Sequence, residues 1–301
     1  MPSEPAPRRP KLGYLSPLRY PGGKARLATY IGQLVAAQRP RPTVYAEPFA
    51  GGAGAALQLL VEGIVDEIKI NDIDPGVAAF WRCVFDDTDA FLHKLLACKV
   101  TLPAWHRHRR IYLNPSEYDD LTLGFATFFL NRTNRSGILQ ARPIGGLKQT
   151  GNWKIDARFD RDVLSDRVRY IAEFRHRVTV TQLDARDFLS TLERRPNDHL
   201  VYVDPPYISK GDDLYLDRLS YADHQAIATQ LIDTKLRWFM TYDVDDRITD
   251  ELYPDLRCAV FNIKHTAHQQ HVGSEYAVYS DNLEVPSLDI MRHDRGHWVV
   301  N

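Results

Sequence analysis

His199-Leu200-Val201-Tyr202-Val203-Asp204-Pro205-Pro206-Tyr207 joins a short apolar run to a rigid polar turn. The first five residues read as a buried strand. The two prolines fix φ and keep the residues before them extended. The Asp204 carboxylate, the Pro205 carbonyl and the Tyr207 ring therefore project from one stiff turn into one small volume. This set suits a flat amino-heterocycle. The carboxylate and carbonyl can accept both hydrogens of an exocyclic amino group while the ring stacks on the base face, an interaction worth roughly 1–3 kcal/mol. An ordinary Pro-rich turn after a strand is the plain alternative.

Upstream, Val44-Tyr45-Ala46-Glu47-Pro48-Phe49-Ala50-Gly51-Gly52-Ala53-Gly54-Ala55 reads as a strand, a tight small-residue turn and a helix entry. Small residues let a ligand approach the backbone, and a helix amino end favours polar or anionic groups, although close strand–helix packing accounts for the same glycines. A second strand, Glu67 to Ile70, ends in Asn71-Asp72-Ile73-Asp74, which puts an acid about twenty residues past the glycines, where a doubly wound fold keeps its ribose-binding carboxylate. A third strand, from Val178, ends near Asp184 and Asp187, either of which can reach an adenine ring or stand in solvent as a loop carboxylate. Glu47, Asp72, Asp184 and Asp204 all fall beyond strand carboxyl ends, where open α/β sheets bind ligands. Leu18-Arg19-Tyr20-Pro21-Gly22-Gly23-Lys24 is a Pro-Gly turn with an aromatic and a cation beside it.

The 301 residues are 44% hydrophobic and 26% charged, enough to bury a sizeable core in one or two domains. No apolar run approaches a membrane span and the amino terminus is Pro- and Arg-rich, so a cytoplasmic protein without membrane contact is expected. Cys83, Cys98 and Cys258 lack paired spacing, and His265, His268 and His271 fall in a polar stretch read as a loop, so neither a disulfide framework nor a metal site is expected. The net charge of −1 hides an asymmetry. Residues 1–42 carry eight Lys/Arg against one acid and residues 105–177 fourteen against eight, while the remainder carries sixteen against thirty. Two basic regions on an acidic body can face phosphates on one side. A solvated surface of Arg–Asp pairs is the alternative over 156–177.

Within 105–177, Leu121 to Leu130 suits a buried helix, followed by Asn131-Arg132-Thr133-Asn134-Arg135-Ser136-Gly137. Arg can bond guanine and Asn adenine through two hydrogen bonds, so Asn131, Arg132, Asn134 and Arg135 are candidate base readers, with helix capping as the competing role. The Gly-rich stretch 143–153, with Lys148, reads as a loop or hairpin. Ser220 to Asp233 reads as a helix opened by a Ser220/Asp223 capping pair. Trp238 to Tyr242 reads as a buried strand. Cys258–Ile263 and Tyr276–Ser280 read as an antiparallel edge hairpin around a loop 264–275, with tails at 1–13 and 287–301.

Tyr20-Pro21-Gly22-Gly23-Lys24, Glu47-Pro48-Phe49 with its glycines, Asn71-Asp72-Ile73-Asp74, Asn131 to Gly137 and Asp204-Pro205-Pro206-Tyr207 resemble, in this order, the Dam-like DNA adenine methyltransferases. The likeness spans roughly residues 18–285. Tyr20 stands where relatives often have Trp, and Ala53 interrupts the glycine run; both keep the aromatic surface and the open turn. The resemblance implies a Rossmann-like α/β sheet built from 14–104 and 178–286, with a mostly helical target-recognition insert at 105–177. It further implies S-adenosylmethionine (AdoMet) as cofactor, held by Tyr20, Lys24, Glu47, Phe49, Gly51, Gly54, Asp72, Asp184 and Asp204. Asp204, Pro205, Pro206 and Tyr207 would be catalytic. Asn131, Arg132, Asn134, Arg135 and Lys148 would meet double-stranded DNA.

The implied chemistry is transfer of a methyl group to the N6 amino group of a flipped adenine; the oligomeric state is left open, a monomer being the expectation, as is a cognate restriction endonuclease as partner. Two rivals remain. A cytosine N4 methyltransferase would usually carry Ser where Asp204 stands. A silent DNA-binding protein would keep the basic insert and lose the cofactor site.

Overall fold

The computed structural model describes residues 10, 15–20, 24–208, 219–265, 271–291 and 295–300. The chain divides into two units, one of Pro21–Asp74 and Thr179–Asn301, the other of Met1–Tyr20 and Pro75–Val178.

The first unit is organised by an eight-stranded sheet. Its strands are β1 (Val44–Glu47), β2 (Glu67–Asn71), β3 (Val178–Thr181), β4 (His199–Val203), β5 (Arg237–Asp243), β6 (Cys258–His265), β7 (His271–Tyr279) and β8 (His297–Val300). They run in the order β3-β2-β1-β4-β5-β7-β6-β8. β1 pairs in parallel with β2 and β4, and β4 with β5. β7 enters antiparallel between β5 and β6. The order reverses at β1 and β4, the switch point at which a doubly wound sheet opens a crevice beyond its strand ends. This is the expected Rossmann-like arrangement.

Every residue of β1, β4 and β5 is buried, as in parallel strands covered on both faces. On one face Val201, Val203, Trp238 and Met240 pack with Phe188 and Leu189 of α8 (Ala185–Leu192) and with Ile227 and Leu231 of α9 (Tyr221–Asp233). On the other, Phe239 stacks on Tyr202 and meets edge-on the ring of Tyr30 from α1 (Ala28–Ala37). α9 begins at the Ser220/Asp223 capping box that the sequence announces.

Two expectations at the carboxyl end need correction. Of the stretch read as a 264–275 loop, the described residues 264–265 and 271–275 are strand, because β6 and β7 pair from Cys258↔Val278 to His265↔His271. The pair is internal, since β8 adds to β6 through Val260↔His297 within a stretch read as a tail. Trp298 of β8 meets the Tyr279 ring edge-on at 5.6 Å, which anchors a strand too short to show periodicity.

The other unit is helical: α3 (Pro75–Asp86), α4 (Thr88–Ala97), α5 (Leu102–Leu113), α6 (Asp120–Thr133) and α7 (Arg161–Ala172). Besides residues 105–177 it takes in α3, α4 and residues 15–20. α6 is buried from Leu123 to Asn131 and contributes Phe125, Phe128 and Phe129 to a cluster with Phe80, Phe91 and Phe159. Gly124 permits the approach of α3, since a Cβ there would lie 2.7 Å from the Phe80 nitrogen. Thr101, Asp119 and Asp160 cap α5, α6 and α7 through side-chain oxygens. Among the described residues no helix is long and apolar enough to cross a membrane.

Candidate active site

The sheet's switch point gathers the polar residues at the ends of β1, β2 and β4. Glu47 closes β1 and is buried, accepting the Tyr45 hydroxyl at 2.9 Å and the Ala56 backbone N–H from the first turn of α2 (Gly54–Val61). Burial, reinforced by the negative charge of Asp204, pushes its carboxyl up to about 8, so Glu47 is mainly protonated at neutral pH. Asp204 follows the last residue of the neighbouring β4 and is half-buried, its Oδ1 accepting the Thr241 hydroxyl at 3.0 Å. Pro205 is buried. Tyr207 packs on the core and donates its hydroxyl to Glu275 at 2.6 Å.

The turn after β1 has its own logic. Gly51 and Ala53 take positive φ of 45° and 46°. The Gly51 N–H donates to Asp72 at 2.9 Å, and the other Asp72 oxygen accepts the Asp74 N–H at 3.0 Å. A carboxylate accepts through both oxygens, so these two bonds fix the orientation of Asp72. Gly54 opens α2 against Ala25, whose Cβ would lie 3.1 Å from an added Cβ. Ala53, the cap of α2, makes no side-chain capping bond.

The buried Asn71, which the sequence reading left without a role, holds these ends in place. It donates to the Pro48 and Leu183 carbonyls, both at 3.0 Å, and accepts the Thr181 hydroxyl and the Leu183 N–H. Asp184 caps α8 and forms a two-point ion pair with Arg186, which holds its carboxyl below the usual range. Tyr20 is half-buried in the helical unit. Pro21 to Gly23 and the Lys24 side chain lie outside the described residues, as does His268.

The five expected DNA contacts separate sharply. Asn131 is fully buried and brackets Arg19: its oxygen takes the Arg19 N–H at 2.7 Å, and its amide donates to the Arg19 and Gly137 carbonyls. Asn134, equally buried, accepts the Trp105 indole N–H at 2.6 Å and donates to the carbonyls of Ile138 and Leu139. Arg132 donates from two nitrogens to the Arg158 carbonyl, and burial beside Arg19, Arg167 and Arg158 lowers its pKa to about 9. All three side chains bond backbone in the structure, Asn131 and Asn134 as buried polar groups must and Arg132 from a half-buried position. Arg135 and Lys148 are exposed. The Gly-rich stretch forms turns around Gln149, whose amide donates to Ile144 and Gly146 and accepts the Ile155 N–H.

Residues 20–272 match the family described as D12 class N6 adenine-specific DNA methyltransferase. The chain belongs to this family. It is similar to a DNA adenine methylase of Haemophilus influenzae, 24% identical over 203 residues that make up 66% of this chain and 66% of that protein. Solved structures with some likeness include an rRNA methyltransferase from Streptomyces viridochromogenes, 14% identical over 87% of this chain and 86% of that one, with a TM-score of 0.36. Another is a Legionella pneumophila protein, 12% identical over 89% of each chain, also with a TM-score of 0.36.

In this D12 chain the polar groups of the site are carboxyls, hydroxyls and backbone amides. Among the described residues no cluster of His, Cys, Asp or Glu is placed to hold a metal ion. Cys83, Cys98 and Cys258 are free thiols, and burial pushes Cys83 and Cys258 up to about 12. Besides Asn71, sequence reasoning missed Thr241 and Glu275, which meet the Asp204–Tyr207 turn from β5 and β7. Thr241 is masked by the apolar run around it, and Glu275 by the polar stretch read as a loop.

Proposed function

We propose that this chain methylates the N6 amino group of adenine in double-stranded DNA, with AdoMet as donor, in the cytoplasm. The observation that carries the reading is Asp204 fixed at the end of β4, followed by Pro205-Pro206-Tyr207, beside the end of β1 at the switch point. The amino nitrogen cannot be reached inside a base stack, so the target adenine is flipped out. Tyr207 then stacks on the base. The Asp204 carboxylate and Pro205 carbonyl accept the two amino hydrogens and turn the nitrogen lone pair towards its electrophile. No covalent intermediate with the protein is needed, and positioning carries most of the acceleration.

The residues of the β1–α2 turn fit AdoMet in their chemistry. Asp72 offers a fixed carboxylate to ribose hydroxyls. The positive-φ turn at Gly51 brings backbone close to a ligand, and Glu47, neutral at pH 7, presents no charge to repel the donor's own carboxylate. AdoMet, when bound, supplies the electrophilic methyl group. Phe49 and Gly54 complete this wall, with Tyr20 and Lys24 as further contacts. Asp184 serves the cofactor only if Arg186 yields its place.

For DNA, Arg135 is assigned to base reading and Lys148 to phosphate. The deciding experiment is nucleoside mass spectrometry of DNA from a methylation-free host expressing the chain. N6-methyladenine is expected; methylcytosine alone, or unmodified DNA with the protein folded, would contradict the reading.

A further inference from the structure

Asp204 accepts from a pair of linked hydroxyls buried in the sheet. The Tyr202 hydroxyl lies 2.7 Å from Thr241 Oγ1, and Thr241 Oγ1 lies 3.0 Å from Asp204 Oδ1. Thr241 is fully buried and Tyr202 nearly so. The strand register explains the juxtaposition. β4 and β5 pair in parallel through Tyr202↔Phe239 and Val203↔Met240, so the next step brings Thr241 level with Asp204. Tyr202 and Asp204, two apart on an extended chain, share a face.

Donor direction follows from chemistry. A carboxylate only accepts, so the single Thr241 proton is committed to Asp204, and the Tyr202 hydroxyl must be the donor to Thr241. Both hydroxyls therefore point the same way, and each bond polarises the next. The consequence is orientational. The terminal torsion of an Asp side chain is broad and roughly two-fold, so nothing in the residue itself aims the two oxygens. A buried hydroxyl bound to Oδ1 sets that torsion, and with it the direction in which Oδ2 points.

We propose that Tyr202 and Thr241 form a two-hydroxyl relay that fixes the rotation of the Asp204 carboxylate, making Thr241 a positioning residue for amino-group recognition. This rests on the reading of Asp204 given above. Thr241→Val keeps the shape and removes the hydroxyl; taking this acceptor from the nearly buried Tyr202 hydroxyl should lower the unfolding midpoint, so folding of the variant is checked alongside its rate. The rate of the chemical step should fall roughly tenfold, because small displacements of a positioned group are costly. The KM values for DNA and AdoMet should stay within about twofold, since the relay acts on the rotation of Asp204 and supplies no ligand contact of its own. Thr241→Ser should restore the rate, and Tyr202→Phe should lower it by a few-fold.

Single-turnover methylation is measured for these three variants beside Asp204→Ala. Loss in Thr241→Val, rescue in Thr241→Ser and unchanged KM support the relay. If Asp204→Ala is impaired while Thr241→Val and Tyr202→Phe run at the wild-type rate, or if Thr241→Val acts only through KM, the relay is overturned and the role of Asp204 stands. If Asp204→Ala itself runs at the wild-type rate, the underlying reading falls and the relay with it. Tyr202→Phe, which removes only the outer hydroxyl, keeps the test decisive if Thr241→Val fails to fold.

Discussion

Polar residues at the ends of β1, β2 and β4 and polar residues at the end of α6 look alike in the sequence and do opposite things. In the sheet unit, Asp72 and Asp204 are half-buried at strand ends, Asp72 accepting the Gly51 and Asp74 N–H groups and Asp204 the Thr241 hydroxyl, bonds that orient each carboxylate. In the helical unit, Asn131 and Asn134 are fully buried and each makes three hydrogen bonds, nearly all to backbone. A parallel strand ends at a crevice, so the residue after it meets a ligand. A helix that ends inside a unit must satisfy its own carbonyls and the turn that follows, and amides do that work.

The widest test of this contrast pairs Asn131 with Arg135. Asn131→Ala leaves the Arg19 N–H and two carbonyls without their partner and should destabilise the protein by about 3 kcal/mol. Arg135→Ala should leave the unfolding midpoint nearly unchanged and relax which DNA sites are methylated, at about 1–3 kcal/mol for the affected base. Denaturant titration and methylation of a randomised duplex library separate the two. A stable Asn131→Ala protein with altered site choice would break the comparison.

On the sheet side, Asp72→Ala should weaken AdoMet by roughly 1.5–3 kcal/mol through the loss of charged hydrogen bonds. Calorimetric titration measures this, and unchanged affinity would reduce Asp72 to a turn residue that serves Gly51 and Asp74.

Glu47 predicts a pH dependence. Its carboxyl ionises near 8 when folded, against an ordinary value of 4.5. The stability linked to its neutral form is complete below about 4.5 and is lost as the pH rises through about 8, because the unfolded chain releases this proton first. Glu47→Gln should flatten stability between pH 5 and pH 8, as read by denaturant midpoints across that range. An unchanged slope would mean that Glu47 is ionised in the folded protein.

The smallest effect belongs to Ala53, which holds φ at +46° where glycine is at ease. Ala53→Gly should gain about 0.5–1 kcal/mol, the left-handed strain relieved less the added freedom of the unfolded chain. A loss on thermal unfolding would show that the methyl group packs better than the backbone suffers.

How far the sequence could be read follows from the same contrast. β4 and β5 are legible because buried parallel strands are unbroken apolar runs, and an acid at their end stands out. The β1–α2 turn is legible through its glycines. Asn71 and Asn131 are not, because their decisive partners, Leu183 and Arg19, each lie 112 residues away in the chain. Only folding shows that an amide faces inward. The first part of β7, residues 271–275, escaped because Glu275, buried at 1% exposure, looks like a loop residue until Tyr207 is found donating to it. β8 escaped because four residues of alternating exposure carry too little pattern.

The central claim is that Asp204 accepts a hydrogen of the target amino group. Single-turnover methylation of an adenine-containing duplex by the wild-type protein and by Asp204→Ala, at saturating AdoMet, tests it most directly. Loss of one preorganised acceptor should lower the rate by about 10²–10³ with the fold intact. A folded Asp204→Ala protein that transfers methyl groups at the wild-type rate would contradict it.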